Sequence, residues 1–387
     1  MPAHSPIRHA GRAALALVIC ASLLLSPAGP VSAAPEPAAS TADLDGDGIP
    51  DAWEANGYDA DGDGVVDIDF PALGAHPHRK DIFVEMDEMP GLMASEAELD
   101  EIVQVFAHLP VRNPDGTRGI SLHLDAGPLR SAKYNLGGGG TQIEHRNLDG
   151  GIRDVVTLRG ENSDPNRKGL FHYMVWADSY GTGSSSGIAW LNGREFLVTV
   201  GPRFWGQASS AVRVGTFIHE FGHNLGLGHG GDDSLNYKPN YFSVMNYRYQ
   251  LTGVPKPGGK RYRGYSMRVF GPLDESALNE QKGIGGTAKG YEAVFKTGGK
   301  LRKGRADLPL DFDGDGVISE SPVSVDLNGD GKLSVLTGPN DMALLRFQAT
   351  AGARGLDRSS RDSHEEHLEE EPNELTAEIA REMNAIP

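Results

Sequence analysis

Hydrophobic and polar positions along the chain follow two periods. Residues 80–88 (KDIFVEMDE) and 119–126 (GISLHLDA) alternate, which predicts half-buried strands. Residues 171–177 (FHYMVWA) are almost continuously apolar and predict a buried strand. Two short strand candidates, 187–191 and 195–200, flank Asn192-Gly193, a favoured hairpin turn. Helical spacing marks 94–108 (ASEAELDEIVQVFAH), where Ser95 and Glu98 form a capping box. A second helix is predicted over roughly 208–226. This order predicts an α+β fold built on a twisted mixed sheet with two long helices. Residues 230–305, rich in Gly, Lys and Tyr, read mostly as loop. Residues 340–348 predict a short helix, and 351–387 an acidic, partly mobile tail.

The first 33 residues change the picture. Arg8 and Arg12 form a basic start, and Ala13–Leu25 is an apolar run too short to span a bilayer. Val31-Ser32-Ala33 supplies small residues for cleavage after Ala33. A secretory signal over 1–33 is therefore expected, followed by a Pro/Ala/Ser/Thr linker over 34–42. The expected mature protein is extracellular, with no membrane association. Its one cysteine, Cys20, falls inside the signal, so disulfides cannot stabilise the mature chain.

The formal charge is −17, which argues against nucleic acid as a partner, because phosphate contacts need clustered Lys and Arg. Hydrophobic residues make up 39 %, enough for a packed core. The 387 residues suffice for one large domain or two ordinary ones, and fit a monomer.

Residues 219–229 read HEFGHNLGLGH. His219 and His223 at i, i+4 lie on one helix face and can grip one ion. Gly226 can turn the chain sharply, and His229 then returns as a third ligand. Three neutral imidazoles leave zinc with an open position. Glu220 sits beside them as a candidate general base toward metal-bound water. The extended pattern is far more specific than HExxH alone. Without a metal, three His and a Glu on one apolar helix end would be costly to bury.

HEFGHNLGLGH resembles the metzincin clan of zinc endopeptidases. Downstream, 243–247 (SVMNY) resembles that clan's Met-turn, with Met245 at its centre. The resemblance covers roughly 75–255. It implies an N-terminal twisted sheet with two helices and a smaller loop-rich C-terminal subdomain. It implies that an edge strand near Gly187–Leu191 pairs with an extended polypeptide substrate. It also implies that Tyr247 is a fifth zinc ligand or stabilises the oxyanion. The sequence departs from individual families of the clan. Gly230, not Asp, follows His229, and no cysteine remains for a latency switch.

Short Asp-rich loops flank this region. Residues 43–54 (DLDGDGIPDAWE) fit the calcium-loop pattern D-x-D-x-D-G-x5-E in full. Asp43, Asp45, Asp47, Asp51 and Glu54 are its candidate side-chain ligands. A second loop offers Asp59, Asp61, Asp63 and Asp67, but has Phe70 at the twelfth place. The tandem over 43–70 resembles thrombospondin type 3 repeats. Pro50 argues against an exiting helix. The region 256–350 holds a second pair over 311–337, loosely EF-hand-like or dockerin-like. It offers Asp311, Asp313 and Asp315, then Asp326, Asn328 and Asp330, with Pro322 and Thr337 at the twelfth places. Two to four structural calcium ions are expected, in place of disulfides.

Other motifs carry less. His364-Glu365-Glu366-His367 lacks a third His and reads as a solvated face. His76-Pro77-His78 reads as a loop, and Gly137–Gly140 lacks a phosphate-binding context. The expected function is a secreted zinc endopeptidase. Two alternatives stand beside it: a calcium-dependent adhesion module with an inactive metal site, and a cell-wall peptide amidase. The intact Glu220 disfavours the first, and no recognisable wall-binding repeat supports the second.

Overall fold

The computed structural model of the chain describes residues 41–347, 375–384 and 386. The expected signal, nearly all of the linker, Cys20 and the His364–His367 segment lie outside the described residues.

A five-stranded sheet organises the molecule. Its strands are β1 (Asp81–Glu88), β2 (Ser121–Asp125), β3 (His172–Trp176), β4 (Gly187–Ala189) and β5 (Glu195–Val198), in the order β2-β1-β3-β5-β4. The first four in that order are parallel, and β4 runs antiparallel to β5 at the edge. The sheet is therefore mixed, and the fold is α+β as expected. β1 is buried along its whole length, consistent with its near-central place.

Eight helices accompany the sheet among the described residues. They are α1 (Asp51–Asn56), α2 (Phe70–Leu73), α3 (Glu96–Ala107), α4 (Ile152–Asn162), α5 (Pro202–Trp205), α6 (Ser210–Asn224), α7 (Tyr247–Gln250) and α8 (Ala377–Glu382). The Ser95–Glu98 capping box forms as expected, with Ser95 N–H donating to Glu98 at 2.7 Å. Ser209 caps α6 through Val212 N–H.

Strand alternation sorts side chains onto two faces. Met174, Trp176, Phe196 and Val198 join Phe217 and Phe221 of α6 and Ile102 and Phe106 of α3 in the main core. Tyr173, Val175 and Leu197 point the other way and pack on Ile152, Val155 and Leu158 of α4. Each fully buried aromatic or Leu contributes about 1.5–3 kcal/mol.

Three expectations are corrected, and the C-terminal region shows more structure than expected. A third substantial helix exists, α4, which has no capping side chain because Gly151 opens it. A helix, α1, does follow the first Asp loop: Pro50 is its N-cap residue at φ −60, where its missing N–H costs nothing. Residues 230–305 are mostly loop, as expected, but short strands that were not expected punctuate them. These strands are β6 (Val254–Lys256), β7 (Lys260–Tyr262), β8 (Phe270–Asp274), β9 (Glu292–Thr297) and β10 (Lys300–Arg305). These form two-stranded ladders β6-β7 and β9-β10, while β8 pairs with β11 (Val335–Gly338). β7 and β10 are largely exposed, so they carry little apolar alternation to read. Finally, only a single turn, Asp341–Ala343, forms among the described residues of 340–348; within the acidic tail, a short helix, α8, is docked with Ala377 and Ala380 buried.

The C-terminal ladders share a core of their own, with Phe242, Tyr249, Phe270, Tyr291, Phe295 and Phe312. The first Asp loop is joined to the sheet through Ile49, Phe70 and Phe83 of β1.

Candidate metal centre

Helix α6 carries His219, Glu220 and His223, all fully buried. The chain leaves it through a Schellman turn. Gly226 takes φ +89, Gly226 N–H donates to His223 O at 2.9 Å, and Leu227 N–H donates to Gly222 O at 3.0 Å. Gly228 and Gly231 then exchange backbone hydrogen bonds of 2.9 and 2.8 Å. His229 sits at the tip of that turn and returns to the helix.

The imidazole tautomers follow from their acceptors. His219 Nδ1 lies 2.9 Å from Val244 O, and His223 Nδ1 lies 2.7 Å from Leu227 O. A carbonyl accepts only, so each Nδ1 carries the hydrogen and each Nε2 presents a lone pair. Those two Nε2 atoms are 3.1 Å apart. Two facing lone pairs repel unless a cation lies between them. Nitrogens bound tetrahedrally to one zinc at 2.0–2.1 Å sit about 3.3 Å apart, so the pair fits that ion. Ligand atoms of His219, His223 and His229 all fall within 4.8 Å of one another. Burial lowers all three from the usual imidazole range, His223 to about 4. They are neutral at pH 7, the form that binds metal.

The other expected residues surround this cluster. Met245 is fully buried under α6, and a Cβ at Gly222 would run into its Sδ. The glycine in HEFGH thus allows the sulfur to approach the helix. Tyr247 places its ring 4.4 Å from His229 and 5.4 Å from His219, centroid to centroid. Glu220 faces the edge strand: a Cβ built on Gly187 of β4 would lie 2.6 Å from Glu220 Oε1. The expected edge position of this strand is therefore met, over Gly187–Ala189.

Sequence reasoning missed two positioning residues. Asn246 donates to Lys238 O and Tyr241 O at 2.8 and 3.1 Å and accepts from Arg248 N–H, which fixes the turn bearing Met245 and Tyr247. Asn224 donates to Trp190 O and Glu195 O at 2.9 Å, tying α6 to the β4–β5 hairpin. Asn246 directly before a short helix was a legible N-cap signal.

The Asp loops gather as partly overlapping groups. Asp43, Asp45 and Asp47 meet within 4.8 Å, and Asp47, Glu54 and Asp81 form a second group. Asp81 opens β1 and was not foreseen; its N–H donates to Asp47 Oδ2 at 2.7 Å. Both Glu54 oxygens and Asp45 Oδ2 are buried without a hydrogen-bond partner. Burial, reinforced by neighbouring acids, pushes Asp45 up to about 6, Asp47 to about 8 and Glu54 to about 9. Such a cluster calls for protons or a cation. Asp51 stands outside both groups and accepts from Leu44 N–H at 2.8 Å.

In the second loop Asp59, Asp61 and Asp67 converge, while Asp63 accepts from Val65 N–H at 2.8 Å. At the C-terminal pair, Asp311 and Asp313 converge with Glu280, and Asp315 accepts from Val317 N–H at 2.7 Å. Glu280 accepts from Phe312, Asp313 and Ser319, the second, third and ninth loop places. Glu275 does the same for Leu327, Asn328 and Ser334 in the next loop. Two buried glutamates from one distant segment thus brace the loops that lack an acid at the twelfth place. No local spacing could reveal them. Asp326 accepts from Gly329 and Gly331, and Asn328 donates to Asp330 at 3.3 Å. Among the described residues, no three-acid group forms in that loop.

No family model matches the sequence, and no curated protein matches it. Among the described residues, no helix is long and apolar enough to cross a membrane.

Proposed function

We propose that the protein is a secreted, metzincin-like zinc endopeptidase that cleaves extended polypeptide. The observation that carries this reading is the His219–His223 pair, whose Nε2 lone pairs face each other at 3.1 Å within HEFGHNLGLGH. His219, His223 and His229 would hold the zinc. Zinc held there would supply Lewis acidity toward a peptide carbonyl and acidify a water. Glu220 would act as general base and then general acid, taking a proton from water and returning it to the leaving amine. Tyr247, packed against His229, assists the oxyanion. Met245 forms the floor. An extended substrate lies along β4, where Gly187 abuts Glu220.

Calcium is proposed at the first Asp loop, where the orphaned oxygens of Glu54 and Asp45 favour a cation. The loops at 59–67 and 311–315 are proposed as further sites. These ions would stabilise a chain without disulfides by mass action.

The adhesion-module reading keeps the same metal but needs no proton acceptor. Zinc analysis and peptide hydrolysis by the purified chain separate the two. The endopeptidase reading expects about one tightly held zinc, lost in His223→Ala, together with hydrolysis. A full complement of zinc with no hydrolysis of any protein or wall peptide, by this chain or by a variant whose C-terminal helix is undocked, would leave only the binding module.

A further inference from the structure

A peptidase site must admit a peptide, yet His219, Glu220 and His223 are 0 % exposed, His229 2 % and Tyr247 3 %. The chain that leads into the edge strand beside them is also paired. Ser186, the residue before β4, uses its carbonyl on the sheet side, accepting from Thr199 N–H at 2.7 Å. Its own N–H points outward and donates to Leu375 O at 2.8 Å. Ala377 N–H donates to Ser184 O at 3.0 Å, and Ser185 and Thr376 form an antiparallel bridge. Leu375–Ala377 thus pairs with Ser184–Ser186 through one isolated antiparallel bridge, directly before β4.

The segment then turns into α8 and stays docked. Leu375, Ala377, Ala380 and Ile386 are buried in the same apolar cluster as Tyr247. Arg381 donates to Phe204 O at 2.6 Å, and Ser184 bonds Glu378. This docking adjoins the edge a strand-adding substrate would use, for Gly187 of β4 follows Ser186 directly and abuts Glu220.

We propose that Leu375–Met383 is an intramolecular ligand of the substrate edge that holds the enzyme latent. The proposal rests on the endopeptidase reading. It supplies a latency device to a chain without a cysteine switch: main-chain pairing occupies the approach to the edge at Ser184–Ser186, and α8 anchors the pair. Activation is then undocking of this segment, and an extended peptide competes with it for the Ser186 N–H and Ser184 carbonyl.

Two full-length variants test it. Ala377→Pro removes the N–H that reaches Ser184 while keeping a residue tolerated at a first helical position. Ala380→Glu puts a charge into the buried face of α8. Amide exchange at Ser186 and in α6 is followed beside hydrolysis of a quenched-fluorescence peptide. Faster Ser186 exchange is expected in both variants, with α6 still protected. The ratio kcat/KM should rise roughly fivefold, the worth of one backbone hydrogen bond, chiefly through KM. A synthetic peptide of residues 375–384 should raise KM again in the Ala380→Glu chain. Faster Ser186 exchange with kcat/KM unchanged or lower overturns the proposal and leaves the peptidase reading standing. Unchanged Ser186 exchange in both variants overturns it as well. No hydrolysis by any form with zinc bound overturns the peptidase reading and this proposal together.

Discussion

His219 and His223 turn their Nε2 atoms toward each other at 3.1 Å, and each spends its Nδ1 hydrogen on a carbonyl, Val244 and Leu227 respectively. The carbonyls fix the tautomers, and the tautomers make the pair a chelate. Binding one ion should therefore stabilise the fold. At a free zinc concentration 1,000 times its Kd, the gain is about 4 kcal/mol. Denaturant titration with and without zinc should show that gain in the wild type and its loss in His223→Ala. An equal gain in both proteins would place the stabilising ion elsewhere.

Gly222 sits where Met245 and Tyr265 press on α6, with a would-be Cβ 3.0 Å from the Tyr265 ring. Gly222→Ala should destabilise by about 1–3 kcal/mol through overpacking, despite alanine's better helix propensity. Urea unfolding decides this. A stability gain would mean that the turn yields readily.

At the first Asp loop, calcium and charge act in opposite directions. Glu54→Gln removes one orphaned buried carboxylate from beside Asp47 and Asp81. In a chelator the variant should melt at or above the wild type. In calcium at about 100 times Kd, the wild type should gain roughly 2.7 kcal/mol and the variant much less. Thermal melts in the two buffers test the crossing, and a wild type indifferent to calcium would sink it.

Asp87, buried in β1, gives a pH signature remote from the metal groups. Burial raises it from 3.8 to about 6, although Tyr173 OH and Thr141 N–H donate to it at 2.5 and 2.9 Å. The folded state holds the proton more tightly than the unfolded one. Its contribution is therefore full below about pH 3.8 and is lost as pH rises through about 6, a change of about 3 kcal/mol. Asp87→Asn can still accept from Thr141 and can donate to the tyrosine oxygen. Its stability should fall less than the wild type's between pH 4 and 7, as read by denaturant melts. Parallel profiles would mean that Asp87 stays ionised.

The legible parts of the molecule were those with local signals. The capping box at Ser95–Glu98, the Asn192-Gly193 turn and the i, i+4 histidines each lie within a few residues and fold as read. Helix α4 was missed because Gly151 offers no capping side chain. β7 and β10 were missed because exposed strands bury no apolar face. Asp81, Glu275 and Glu280 reach their loops across long stretches of chain, and the docking of Leu375 on Ser186 spans most of the domain. Tertiary packing alone decides such pairings.

The central claim is tested most directly by peptide hydrolysis in four full-length chains: wild type, Ala380→Glu, and each with Glu220→Gln, with zinc measured in all four. The account predicts about one zinc per chain throughout, hydrolysis by the two chains that keep Glu220, and none above background in the two that lose it. Hydrolysis that survives Glu220→Gln, or chains that hold no zinc, would contradict it.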